Sequence, residues 1–299
     1  MKKTYFKLQY NKGEGLLTTI GYLGPKGTFT KLAVDTAFNG ENKESFATIP
    51  ECIDAVDQGK IDIGVVPLEN AIEGTVQLTV DYLVHQVRLP IMAEIVVPIQ
   101  QHLLVHQAYT GNLSAIEQVY SHSHAIAQCH QYLHKNLPHA SIHFTSSTGK
   151  AAEMISQKEA PIAAIGNKLA AREYGLQIYQ EDIHDYPNNH TRFAVLAKEK
   201  NLLAINHEVQ TEKTSLLITL PSDQAGALYQ VLSAFSWRKM SLSKIESRPM
   251  KTGLGNYFFI VDVDQAFDDV LFPGVKAELE ALGCKVTILG TYPVYHMHL

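Results

Sequence analysis

One unit recurs through the first two thirds of the chain: a short apolar run, a turn of glycine and polar residues, then apolar residues at helical spacing. Ile61-Asp62-Ile63-Gly64-Val65-Val66-Pro67 and Pro161-Ile162-Ala163-Ala164-Ile165 are short, apolar and bounded by turn residues, which favours buried strands over helices. A sheet whose strands are apolar on both faces has to be covered on both faces. The repeat therefore predicts α/β architecture.

Taken in order, Thr19-Ile20-Gly21-Tyr22-Leu23 reads as a strand, Gly24-Pro25-Lys26-Gly27 as a turn, and Thr28-Phe29-Thr30 as the entry to a helix carrying Leu32, Ala33 and Ala37. Ser45-Phe46-Ala47-Thr48-Ile49 reads as the next strand, with Pro50 just inside the helix that follows. The strand ending at Pro67 delivers Leu68 to Val76 to its carboxyl end, where open α/β sheets bind ligands, so Glu69 and Asn70 become candidate site residues.

A second α/β unit follows. Ile116 to Tyr120 fits a strand or a short helix, Ala125 to His134 a helix, and Ile142-His143-Phe144 a strand running into Thr145-Ser146-Ser147-Thr148-Gly149-Lys150. Those hydroxyls either cap the next helix or meet a ligand. The last strand, Ala194 to Ala197, is entered through Asn189-His190-Thr191-Arg192-Phe193, an amide, a hydroxyl and a guanidinium at what reads as a cleft. The expectation is a two-lobed domain over 18–197, with lobe one about 18–100 and 187–197 and lobe two about 101–186.

Residues 198–213 are charged and weakly patterned, and read as a linker. The rhythm then changes to strand, helix, strand, strand, helix, strand over 214–292, the βαββαβ order of a ferredoxin-like domain. In it, Asp223-Gln224-Ala225-Gly226-Ala227-Leu228 opens a helix, with Asp223 placed to cap it and Gly226 in its first turn, and Glu246-Ser247-Arg248-Pro249 ends a strand. Residues 1–17 show no clear period.

A net charge of -5 without basic runs argues against nucleic acid as a partner. No stretch approaches the roughly 18 apolar residues of a membrane helix, and the start of the chain lacks a signal-peptide core, so a cytoplasmic protein is expected. Cys52, Cys129 and Cys284 are too few and too scattered for a disulfide framework. His122, His124, His130 and His134 cluster, but no metalloenzyme signature accompanies them, so they read as solvated helix residues and no metal is expected.

Several stretches jointly resemble the monofunctional prephenate dehydratases. Gly24-Pro25-Lys26-Gly27-Thr28-Phe29, Pro67-Leu68-Glu69-Asn70, Ser147-Thr148 and Asn189-His190-Thr191-Arg192-Phe193 resemble the catalytic-domain motifs in order. Gly226-Ala227-Leu228 and Glu246-Ser247-Arg248-Pro249 resemble the two phenylalanine-binding motifs of the regulatory ACT domain. The resemblance spans about 18–292. It implies a periplasmic-binding-protein-like two-lobed catalytic domain with an ACT domain, converting prephenate to phenylpyruvate, water and carbon dioxide without a cofactor.

It further implies catalysis by Thr191 and Arg192. Thr28, Glu69, Asn70, Ser147, Thr148, Asn189 and Phe193 would bind substrate. L-phenylalanine would bind at Gly226, Ala227, Leu228, Glu246, Ser247, Arg248 and Pro249 in a homodimer or homotetramer. Three residues depart from the family pattern: Ala71 for a hydroxyl residue, Ala225 for Pro and Ser241 for Asn. Arogenate dehydration and non-catalytic amino-acid sensing are the competing readings.

Overall fold

The structure is a computed structural model, and it describes the chain except residues 1–17, 40–41, 200–204, 206, 223, 251–256 and 299. It divides into two compact units, as far as each is described: Met1–Arg88, Ile95–Asn206 and Met297–Leu299 in one, Leu89–Glu94 and His207–His296 in the other.

The first unit holds two lobes. Lobe one contains β1 (Thr19–Leu23), α1 (Phe29–Ala37), β2 (Asn42–Phe46), α2 (Ile49–Asp57), β3 (Ile63–Asn70), β4 (Gly74–Thr75), α3 (Gln77–His85) and the later residues of β5 (Ile91–Pro98). Lobe two contains β6 (His102–His106), β7 (Gln118–Ser121), α4 (Ser123–Gln128), α5 (His130–Asn136), β8 (Ser141–Phe144), α6 (Thr148–Ser156), β9 (Ile162–Gly166), α7 (Lys168–Glu173) and β10 (Leu176–Gln180). The chain then returns to lobe one as β11 (His190–Ala197).

In lobe one β1 pairs in parallel with β2 and β3, and β11 runs antiparallel to β3. In lobe two the strand order is β10-β6-β9-β7-β8. Ile63, Val65, Val66, Ala163, Ala164 and Ile165 are buried, as their continuous apolar character requires.

Several boundaries differ from expectation for local reasons. The strand expected over 45–49 stops at Phe46, because the Thr48 hydroxyl accepts the Glu51 N–H and starts α2. The helix expected through Ala125–His134 breaks at Cys129 into α4 and α5. Glu69 and Asn70 lie inside β3 rather than beyond it, held there by antiparallel pairing to β11.

The second unit contains β12 (Thr211–Thr219), α8 (Ala227–Ser236), β13 (Leu242–Pro249), β14 (Tyr257–Val263), α9 (Leu271–Ala281) and β15 (Lys285–His296), the βαββαβ order. Its sheet runs β13-β14-β12-β15, over a core including Leu216, Val231, Phe235, Val261 and Leu279. Residues 211–213 belong to a strand, so the expected linker ends earlier than 213. Asp223, the expected cap of α8, lies outside the described residues; the residue at the cap position is Gly226, at φ 85°. Leu89–Glu94 joins this unit because Gly290 lacks a side chain: a Cβ there would meet the Ile91 carbonyl oxygen at 2.2 Å. Lys213 Nζ lies 3.3 Å from the fully buried Glu94 carboxylate in the same unit.

Candidate active site

The β3–β11 pairing sets the site. Its register places Asn70 opposite Thr191 and Glu69 opposite Arg192. Neighbouring residues on a strand face opposite sides, so Asn70 and Thr191 share one face while Glu69 and Arg192 share the other.

On the first face, Asn70 Nδ2 donates to Thr191 Oγ1 at 2.8 Å. The orientation of that amide is fixed from behind, because Asn70 Oδ1 accepts the N–H groups of Ile72 at 3.0 Å and Glu73 at 3.1 Å. The amide nitrogen is thereby forced toward Thr191, whose oxygen accepts. Among the described residues the Thr191 hydroxyl proton has no protein acceptor, and Thr191, only 9% exposed, lines a cavity of about 720 Å³ between the lobes. On the second face, Arg192 Nη1 donates to Glu69 Oε2 at 2.5 Å, and neither residue lines that cavity.

Two helix N-termini from opposite lobes meet the same cavity. Thr28, Phe29 and Thr30 bring the start of α1, and Ser146, Ser147 and Thr148 the start of α6. The leading backbone N–H groups of a helix lack partners within it and favour anions. The Thr28 hydroxyl is committed to its turn, donating to the Leu23 and Pro25 carbonyls and accepting the Lys31 N–H. Ser147 Oγ accepts the Lys150 N–H, capping α6. The lobes touch closely here: a Cβ on Gly149 would lie 2.4 Å from the Lys26 carbonyl oxygen, and Tyr174 Oη donates to that same oxygen at 3.0 Å.

Of the remaining expected site residues, Phe193 is 1% exposed and packs in the core. The Asn189 carbonyl accepts the Ile99 N–H at 2.8 Å, and its buried side chain does not line the cavity. Ala71 is exposed and absent from the cavity wall, its N–H donating to the His190 carbonyl at 2.9 Å. In the second unit, Gly226 caps α8 and precedes a buried Ala227 and an exposed Leu228. On β13, Glu246 lies 3.4 Å from both Lys244 and Arg248, with Ser247 and Pro249 on the same strand.

A family model described as "Prephenate dehydratase" matches residues 20–201. The chain belongs to the prephenate dehydratase family. A prephenate dehydratase of Bacillus subtilis strain 168 is 53% identical over 283 residues, covering 93% of this chain and 99% of that protein. The crystal structure of a prephenate dehydratase from Arthrobacter aurescens in complex with L-Phe is similar at a TM-score of 0.81 and 34% identity, covering 92% of this chain and 90% of that one. A Staphylococcus aureus prephenate dehydratase structure is similar at a TM-score of 0.78 and 34% identity, covering 92% of this chain and all (100%) of that one.

The sequence reading of this prephenate dehydratase family member missed part of the cavity wall. His122, His124, Gln101, Gln128 and Glu153 also line it, beside Glu73 and Lys150 from the 69–75 and 146–150 stretches expected there. The signal lies in the strand Gln118–Ser121: His122 follows its carboxyl end, where open α/β sheets bind ligands, but residues 116–120 fit a strand and a short helix alike. His130 and His134 stack on each other at 6.1 Å between ring centroids, outside the cavity.

Proposed function

We propose that the chain is a prephenate dehydratase that expels carbon dioxide and hydroxide from the prephenate ring, and that Thr191 is its proton donor. The observation carrying this is the fixed Asn70 amide, which takes the accepting side of the Thr191 hydroxyl and leaves its proton for the cavity. Electrons from the breaking ring–carboxylate bond enter the ring and expel the hydroxyl at the far carbon. That oxygen leaves as water on receiving a proton, and aromatisation drives the step. A threonine is a poor acid in bulk water; a fixed donor at the leaving oxygen is worth roughly 10²–10⁴ in rate.

The substrate is a dianion, and the starts of α1 and α6 supply one anion-favouring surface from each lobe. In this reading Thr28, Ser147 and Thr148 shape those surfaces, and Asn70 orients Thr191 rather than the substrate. Arg192 and Glu69 hold the strand pair from its other face, while Asn189 and Phe193 support it. The second unit acts as an ACT domain binding L-phenylalanine at Gly226, Ala227, Leu228 and the Glu246–Pro249 strand end, in a homodimer or homotetramer of the cytoplasm. Its βαββαβ order and the L-Phe complex of the Arthrobacter aurescens relative support that assignment.

A spectroscopic assay for phenylpyruvate formed from prephenate, with and without added L-phenylalanine, tests activity and regulation together. No product from prephenate with turnover of arogenate would shift the assignment to the aminated substrate; no product from either would leave a binding protein.

A further inference from the structure

His122 is drawn into the cavity that holds Thr191, Asn70, Ser147 and Thr148. It precedes α4, and its Nδ1 accepts the backbone N–H of His124 at 3.3 Å. With Nδ1 occupied as an acceptor, the neutral ring carries its proton on Nε2. The ring stands edge-on to His124, with centroids 4.7 Å apart and planes at 89°, which fixes its direction. Nε2 is not sealed in the core and has no protein partner among the described residues. By contrast, the nearby cation Lys150 is paired with Glu153 at 2.8 Å, and Arg192 with Glu69.

We infer that His122 contacts the substrate, its Nε2–H donating to a carboxylate oxygen of the bound dianion. This inference rests on the activity proposed above. Burial holds the imidazole below its usual pKa, His124 lowers it further and Glu73 opposes both, so His122 is a neutral donor in the neutral range. It supplies a hydrogen bond and no proton, leaving protonation to Thr191.

Two substitutions separate donor from scaffold. His122→Asn keeps a side-chain acceptor for the His124 N–H but has no donor at the Nε2 position, whereas His122→Gln extends an amide N–H to about that position. The expected result for His122→Asn is a KM for prephenate raised about tenfold or more, kcat within about threefold of the parent and an unchanged melting temperature. His122→Gln should bring KM back to within about threefold. The His122→Asn to parent KM ratio should stay constant from about pH 7 to about pH 9, because a neutral N–H does not titrate there. A parent-like KM in His122→Asn, equal losses of kcat and melting temperature in both variants, or a KM ratio falling to one at high pH would each overturn the inference. A parent enzyme that forms no phenylpyruvate from prephenate would instead overturn the activity, and this inference with it.

Discussion

Thr191 and Asn70 are joined by a hydrogen bond, and under the proposed mechanism their variants should behave as one unit. Thr191→Val is expected to lower kcat by about 10²–10⁴ with KM within a few fold, because the contact matters in the transition state. Asn70→Asp should be as damaging: a carboxylate there accepts where the amide donated, so the Thr191 proton turns back toward residue 70 and away from the cavity. An Asn70→Asp enzyme with near-parent kcat would remove the orienting role. On the opposite face, Arg192→Gln and Glu69→Gln should each cost about 1–3 kcal/mol in chemical unfolding, with the double variant costing less than their sum. Additive losses would mean the two side chains do not depend on each other. The pentapeptide Asn189–Phe193 drew attention to Thr191 from sequence, but it could not tell which neighbour served the hydroxyl. That depended on a strand about 120 residues earlier in the chain.

At the scale of elements, the site depends on how α6 meets the 24–28 turn. Gly149→Ala should force the start of α6 away from the Lys26 carbonyl, costing about 1–3 kcal/mol of stability and lowering kcat/KM. Retention of both would show that the lobes tolerate wider spacing. The start of lobe one is tied by Asp35, which takes Lys31 from its own helix at 2.5 Å and Lys43 from β2 at 2.9 Å. Burial pushes its carboxyl pKa up, but the hydrogen bonds from Lys31 and Lys43 outweigh that and hold it below the ordinary value. A depressed folded pKa contributes stability above the unfolded value near about pH 3.9, lost as pH falls through the lower folded value. Asp35→Asn should therefore flatten the acid limb of the stability curve below about pH 4, measured by urea unfolding; an unchanged limb would discount the pair. These elements were legible where a local signal existed, as with the hydroxyls before Gly149 that open α6. They were misplaced where two signals overlapped, as between Phe46 and Thr48, where β-favouring residues run directly into a cap.

For the whole molecule, a regulatory ligand that binds only the folded chain must stabilise it. L-phenylalanine at about a hundred times its Kd should add roughly 2.7 kcal/mol to unfolding, together with a change in catalytic rate. Saturating L-phenylalanine with neither effect would remove the ACT assignment. Sequence by itself determined the two architectures, because short doubly apolar runs require a sheet covered on both faces and the later alternation requires a βαββαβ layer. It also marked Thr191, Asn70, Ser147 and Thr148, which lie at or near the ends of predicted strands and helices. Only the tertiary structure decided what each one touches. The antiparallel register of β3 and β11 assigned Asn70 to Thr191 and Glu69 to Arg192, and the meeting of two lobes brought His122 to the same cavity. Both are choices between strand faces and between distant segments. Local propensity carries no information about them, because the energy that fixes them exists only once those segments pack together.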